Sequence, residues 1–343
     1  MVNFNILINK KKKIIHNNSV INRILNEFNP DAIMVWGLWN LPRAILSPLE
    51  KFETYPIAYY IADYWPSLPD AYTLHWQSPP RNATFRRLKK VLAMFALNSN
   101  SQLPDQPKLC LNNAICVSKF VRNHLIQKGN LPDTARVIYN GIDIETFAYN
   151  RTIEINKVTT HPLRILYAGR ISPEKGVDIA IQAFGRLIRG GIDAILDILG
   201  RGISEYITRL RKLCQQEGIA DRVRFIDYIA RDEMPAFLSS YGILVVPSRW
   251  AEPLPRIIQE GMSVGCIVIA ADIGGIPEII EDGVNGLLFS PGDHKDLESK
   301  ILLMYKNPTL FEQYSFEGRK TVEERFTIKK MVDKIETYLH QIA

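Results

Sequence analysis

Residues 247–293 read PSRWAEPLPRIIQEGMSVGCIVIAADIGGIPEIIEDGVNGLLFSPGD, and this stretch decides the fold. The run before it, Gly242 to Val246, is short and wholly apolar, as a strand buried on both faces must be. The run ends at Pro247–Ser248, where a polar loop carries Trp250 and Glu252. A helix is expected next: Pro255 suits its first turn, and Ile257, Ile258, Gly261 and Met262 give it an apolar face. Gly265 closes that helix before a second apolar strand, Cys266 to Ala270, which completes a βαβ unit. Gly274–Gly275 then either turns with positive φ or lets backbone approach closely, and Pro277–Glu278 predicts a further helix start.

Two helix N-termini, near Leu254 and Ile276, would thus sit at the carboxyl ends of neighbouring parallel strands. Unpaired N–H groups and the helix dipole favour an anion there. Glu252 and Glu260, eight residues apart, frame the place. A carboxylate is a poor phosphate ligand but a good acceptor for sugar hydroxyls, so the combination suits a nucleotide sugar. The plainer reading of Glu260 is an i,i+4 ion pair with Arg256.

Glu-Pro, a second glutamate eight residues after the first, then G-G-x-P-E and D-G-x-N-G together resemble the family-four retaining glycosyltransferases. The resemblance implies a GT-B fold, an α/β architecture of two Rossmann-like domains facing a cleft. It also implies that Glu260 holds the donor ribose and that Glu252 meets the transferred sugar. The amides between them, around Leu254 and Pro255, would help hold sugar and diphosphate together with Gly274 and Gly275. One departure is plain: the family usually has Phe-Gly where this chain has Leu254–Pro255, and proline has no N–H to give.

Upstream, the strand Leu163 to Ala168 runs into Gly169-Arg170-Ile-Ser-Pro-Glu-Lys175-Gly176 and a helix to about Arg189. Strand, glycine, two cations and a helix start make an anion site by themselves. The run resembles the family's G-R-x-x-x-x-K-G, which implies that Arg170 and Lys175 neutralise the donor diphosphate beside Gly169. Strands at Ala194 to Leu199 and Val223 to Ile226 end in Gly200-Arg201-Gly202 and Asp227-Tyr228-Ile229; in the family such ends line the base pocket, which brings in Ile229. The resemblance makes Arg170, Lys175 and Glu252 the catalytic candidates. It implies transfer with retention of configuration, by front-face attack in which the leaving phosphate takes the acceptor's proton. No D-x-D or His/Cys/Asp cluster has metal-ligand spacing, so no metal and no cofactor beyond the donor is expected.

With 343 residues and 46% hydrophobic content, two domains are expected. They are placed at 1–150, on the acceptor side, and 151–326, binding the donor, with a helix at 327–343 crossing back to the first. Cys110, Cys116, Cys214 and Cys266 lack zinc or redox spacing and are expected as buried, reduced thiols. No run approaches the roughly 20 apolar residues that span a bilayer, so a cytoplasmic chain, peripheral at most, is expected. The net charge of +6 permits anionic ligands and does not require nucleic acid.

In the first domain, a weak alternation over Phe4 to Ile8 leads to Lys10–Lys13, expected as a hairpin tip or solvated edge; Ser19 then caps a helix, Val20 to Phe28. Strands follow at Asp31 to Trp36, Pro56 to Ile61, Asn113 to Val117 and Arg136 to Tyr139, with a long loop at 66–82 and a linker at Ala148 to Pro162. Asp63 and Trp65, at one strand's exit, fit either an acceptor sugar or a packed corner. Arg81 to Asn98 is a basic amphipathic helix that suits either a membrane interface or an ordinary core position. The matches S-x-F-V-x-x-x-L at Ser118 and Y-N-G-x-D at Tyr139 extend the resemblance. The family's opening strand and glycine-rich turn have no counterpart before Asn29-Pro30-Asp31, so a shortened first domain and low turnover are expected. The partners implied are a nucleotide sugar and a saccharide or lipid-linked acceptor. The readings left beside the transferase are a silent nucleotide-sugar-binding subunit and a sugar-nucleotide epimerase of the same fold.

Overall fold

The computed structural model describes residues 10–38, 43–52, 55–69, 77–78, 86–98, 109–148 and 162–343. It is an α/β chain with two parallel sheets, in two compact units. Residues 1–117, 121–138 and 335–343 make the first unit, and 118–120 with 139–334 the second. The division therefore falls after Ile138 rather than at 150, because Tyr139–Phe147 bonds within the second unit: Ile142 N–H reaches the Phe326 carbonyl at 2.9 Å, and Ser263 donates to the Phe147 carbonyl at 2.9 Å.

The first described element is α1 (Lys10–Phe28), so Lys10–Lys13 lies in a helix rather than tipping a hairpin, and Ser19 lies mid-helix. Lysine's unbranched stem is a good helix former, and Ile14, Asn18, Ile21 and Leu25 recur as a half-buried stripe at helical spacing. Asn29, at φ 45°, supplies the left-handed stop. The expected strand at Phe4 to Ile8, residues 149–161 of the linker expected at Ala148 to Pro162, residues 70–76 and 79–82 of the loop expected at 66–82, and residues 81–85 of the helix expected at Arg81 to Asn98 lie outside the described residues. The sheet runs β1 (Ile33–Trp36), β2 (Ile57–Ile61), β3 (Ala114–Cys116) and β4 (Arg136–Val137), in chain order and all parallel. β2 is buried throughout, and its tyrosines keep their hydroxyls satisfied. Tyr59 donates to Glu50, on α2 (Ser47–Phe52), at 2.6 Å, and Tyr60 to the Ile138 carbonyl at 3.1 Å. α3 (Arg86–Asn98) precedes β3, and α4 (Lys119–Gln127) follows it. Cys110 is exposed, against expectation, because it sits in the irregular approach to β3; the other three cysteines are buried.

The second unit carries a six-stranded parallel sheet of β5 (Leu163–Ala168), β6 (Ala194–Leu199), β7 (Val223–Ile226), β8 (Ile243–Val246), β9 (Ile267–Ala271) and β10 (Leu287–Phe289). Its order is β10-β9-β8-β5-β6-β7, so the order in which strands are added reverses between β5 and β8 while every strand stays parallel. α5 (Val177–Arg189) buries Val177, Ile181, Phe184 and Leu187 against one face, which accounts for its apolar stripe. α6 (Ser204–Gln216) and α7 (Met234–Ser239) connect β6 to β7 and β7 to β8; α8 (Arg256–Ser263) connects β8 to β9. Beyond β10 come α9 (His294–Lys306), α10 (Pro308–Arg325) and α11 (Ile328–Ile342). Asp293 caps α9 by accepting from Lys295 and Asp296. No helix among the described residues is long and apolar enough to cross a membrane.

Candidate functional site

In an open parallel sheet, a crevice forms where connections leave neighbouring strands toward opposite faces. Here that point lies between the carboxyl ends of β5 and β8. The β5 exit, Gly169 to Gly176, lies close against other backbone. Gly169 N–H reaches the Leu199 carbonyl at 3.0 Å, and Ile171 N–H the Arg201 carbonyl at 2.8 Å. Gly176, at φ 69°, passes so near the Pro247 carbonyl that any Cβ would collide with it. The exits of β5 and β8 are therefore held in contact by a glycine.

That contact brings Lys175 to Glu252. Lys175 Nζ lies 2.5 Å from Glu252 Oε1, with the carboxylate side chain 9% exposed and the ammonium 21%. Ser248 donates to the same oxygen at 2.8 Å and accepts from Trp250 N–H at 3.2 Å. The loop is also pinned from outside: Arg249 and Trp250 N–H both donate to the Glu174 carbonyl, at 2.8 and 3.1 Å. Arg249 meets Asp178, on α5, through both guanidinium nitrogens at 2.7 Å. Burial by itself would raise the Asp178 carboxyl, but the Arg249 fork outweighs it and the net shift is downward. Arg170 is exposed and pairs loosely with Glu174 at 3.6 Å, so its guanidinium can reorient.

Glu260 lies on α8, half-buried, 3.7 Å from Arg256. Burial raises its carboxyl, opposed by the charges of Arg256 and Arg231. The i,i+4 pair is thus present, but it is long and leaves the carboxylate oxygens room for other donors. Pro255 is the N-cap residue of α8 and brings no side-chain cap. Leu254 is buried, and its carbonyl accepts from Asn140 at 3.3 Å. Asn140 Oδ1 in turn accepts from Gln259 at 2.8 Å, and the Gln259 Oε1 is buried without a partner.

Both alternatives at Gly274–Gly275 hold. Gly274 has φ 66°, and a Cβ at Gly274 or Gly275 would strike the backbone of Glu252 or Pro253. Gly275 N–H donates to the Glu252 carbonyl at 2.7 Å, so this amide braces the Glu252 loop. The helix expected at Pro277 is a single 3-10 turn, Ile276–Glu278. The Glu278 carboxylate at its end accepts from the Lys119 and Phe120 N–H groups at 2.8 and 2.7 Å. Of the two helix starts expected beside Glu252, only that of α8 is an α-helix; the start of α5 at Val177 comes just after Lys175 and Gly176.

Lys175 and Glu252 are thus brought into contact, with Gly274 and Gly275 packed behind Glu252 and Glu260 on the helix that follows. Ile229 is half-buried beyond β7, which lies at the edge of the sheet with β5 and β6 between it and β8. In the first unit, Trp65 is 3% exposed and Arg43 lies over its ring at 5.4 Å, so the corner is packed; Asp63 closes it by accepting from Trp65 N–H at 2.7 Å. The sequence reading missed Ser248, the Arg249–Asp178 clamp and the Asn140–Gln259 pair. Gln259 could have been found as a polar residue on the apolar side of α8, next to Ile258 and Met262. No group of three or more His, Cys, Asp or Glu suited to a metal occurs among the described residues.

The model of the family described as glycosyl transferases group 1 matches residues 150–321. An uncharacterized glycosyltransferase of Methanocaldococcus jannaschii is 33% identical over 221 residues, 64% of this chain and 56% of that protein. The putative glycosyltransferase YtcC of Bacillus subtilis is 26% identical over 243 residues, 66% of this chain and 59% of that one. The chain thus spans under two thirds of the length of these relatives. Among solved structures, Anabaena HepE in complex with UDP superposes with a TM-score of 0.70 at 21% identity, covering 94% of this chain and 82% of that chain.

Proposed function

We propose, from the premise that the chain belongs to the family of glycosyl transferases group 1, that it moves a hexosyl group from a nucleotide sugar to a saccharide or lipid-linked acceptor with retention of configuration. The observation that carries this reading is the junction of Lys175 and Glu252 at the reversal point of the sheet. A cation for the diphosphate and an acceptor for sugar hydroxyls stand there side by side. Glu260 takes the ribose hydroxyls, and Arg170 swings from Glu174 to the diphosphate.

In the reaction the acceptor oxygen bonds to the anomeric carbon as that carbon's bond to the phosphate oxygen breaks. The acceptor's proton passes to the leaving nucleoside diphosphate. Negative charge grows on the diphosphate during this step, and Arg170 and Lys175 are the groups that stabilise it. No metal is required by this scheme. The related HepE structure holds UDP, which makes uridine diphosphate sugars the first donors to try. The expected result is acceptor-dependent release of nucleoside diphosphate. Binding of the nucleotide sugar without turnover across acceptors would favour the silent subunit instead.

Where the acceptor is lipid-linked, the same reading makes the chain peripheral to the membrane that carries it.

A further inference from the structure

α3 (Arg86–Asn98) is turned inside out. At about 100° per residue, Leu88, Val91 and Leu92 share one stripe by i, i+3 and i+4 spacing. They are 55%, 49% and 48% exposed, and Met94 beside them is 56% exposed. Of residues 87–94 only Ala93 is buried; it lies on the opposite side, above Lys89, which is half-buried and donates to the Ser78 carbonyl at 2.8 Å. A core helix with a wet side, one of the two readings open from sequence, would show the reverse. The apolar stripe faces outward.

Arg87 and Lys89 adjoin Leu88 in sequence and so border the stripe, each about 100° from its line. Lys90 follows on the Arg87 side, and no acidic residue occurs between Arg86 and Asn98. Apolar side chains flanked on both margins by cations match a surface with an apolar interior and an anionic rim. A second copy of the chain fits worse, since an isologous pairing of two such stripes sets these cations against their own kind with no carboxylate on the helix to relieve them. The helix is too short and too charged to cross a bilayer, and it suits one lying in the headgroup plane.

We propose that α3 is the membrane-docking element, seating Leu88, Val91, Leu92 and Met94 among the acyl chains of an anionic lipid surface with Arg87 and Lys90 on the lipid phosphates. This deepens the peripheral reading above and rests on it, but it does not require turnover.

The test is flotation of the full 343-residue chain with phosphatidylcholine vesicles and with vesicles that also contain phosphatidylglycerol. The chain is expected to float with the second kind only, and to be released by salt. Leu88→Ser with Leu92→Ser should abolish flotation. Arg87→Gln with Lys90→Gln should weaken it roughly fivefold per charge. These side chains are exposed, so thermal stabilisation by a nucleoside diphosphate should be unchanged in both variants. Indifference of the wild-type chain to phosphatidylglycerol, or wild-type flotation of the serine variant, overturns the proposal. So does a dimer in sedimentation that the serine variant dissolves. Flotation without any nucleotide effect would sink the transferase reading and leave this one standing.

Discussion

The ammonium of Lys175 and the carboxylate of Glu252 are each other's nearest charged partners at 2.5 Å, with Ser248 as the third member. Lys175→Met should therefore leave a nearly buried carboxylate with one hydroxyl donor, lowering stability by about 2–3 kcal/mol, less than for a fully enclosed pair. Adding Glu252→Gln should restore much of it. Denaturant midpoints of the two single variants and the double variant would measure the coupling, and additive losses would show the pair to be energetically idle.

Glu260→Ala and Lys175→Ala should fail in different ways. Loss of Glu260 removes hydrogen bonds to a charged acceptor, so nucleotide affinity should fall by about 1.5–3 kcal/mol per bond lost. Loss of Lys175 should act more on kcat, where charge develops. Wild-type kinetics in both would refute the assignments.

Two carboxyls of the second unit should leave opposite marks on stability against pH. Glu260 is raised by burial above its ordinary 4.5, so its contribution is full in acid and is lost as pH rises through the folded value. Glu260→Gln should then be more stable than wild type at neutral pH, with the gain vanishing below about pH 4.5. Asp178 is depressed below 3.8 by Arg249 despite its burial, so its contribution is present above 3.8 and lost as pH falls through the folded value. Asp178→Asn should cost about 1 kcal/mol at neutral pH and little in strong acid. Thermal melts across the pH range would separate the two, and parallel curves would contradict both signs.

Much of this site was legible because its residues stand at fixed offsets from apolar strands. β5, β6 and β7 have the bounds expected for them, since buried parallel strands are bracketed by glycine or polar turns. Glu252, Lys175 and the paired glycines were visible for the same reason. What escaped depended on tertiary choices. Lys10–Lys13 carries no sign of helix until Ile14 to Leu25 supplies a stripe to bury, and the Pro277 start ends after one 3-10 turn whose Glu278 caps the Lys119 and Phe120 amides, partners distant in sequence. The outward stripe of α3 was beyond a pattern that records amphipathicity but not which side faces in.

Gly275→Ala offers a purely steric test, because φ there is −85° and alanine accepts that value. The added methyl would meet the Pro253 carbonyl, so the expected loss is about 1–3 kcal/mol, with displacement of the Glu252 loop and weaker nucleotide binding. An unchanged melting temperature would mean that this backbone gives way freely.

β5 pairs with β8 as well as with β6, and Ile165 finds Ile243 only after about 80 residues of intervening chain have been threaded, a loop closure with a large entropic barrier. Lys175 and Glu252 hang from the two ends of that closure. On the ribosome the cation emerges long before its carboxylate, so the pair forms late, as the central strands of the second unit dock. The growing chain must pass through a period with β5 edged on one side only, open to mispairing and to chaperones.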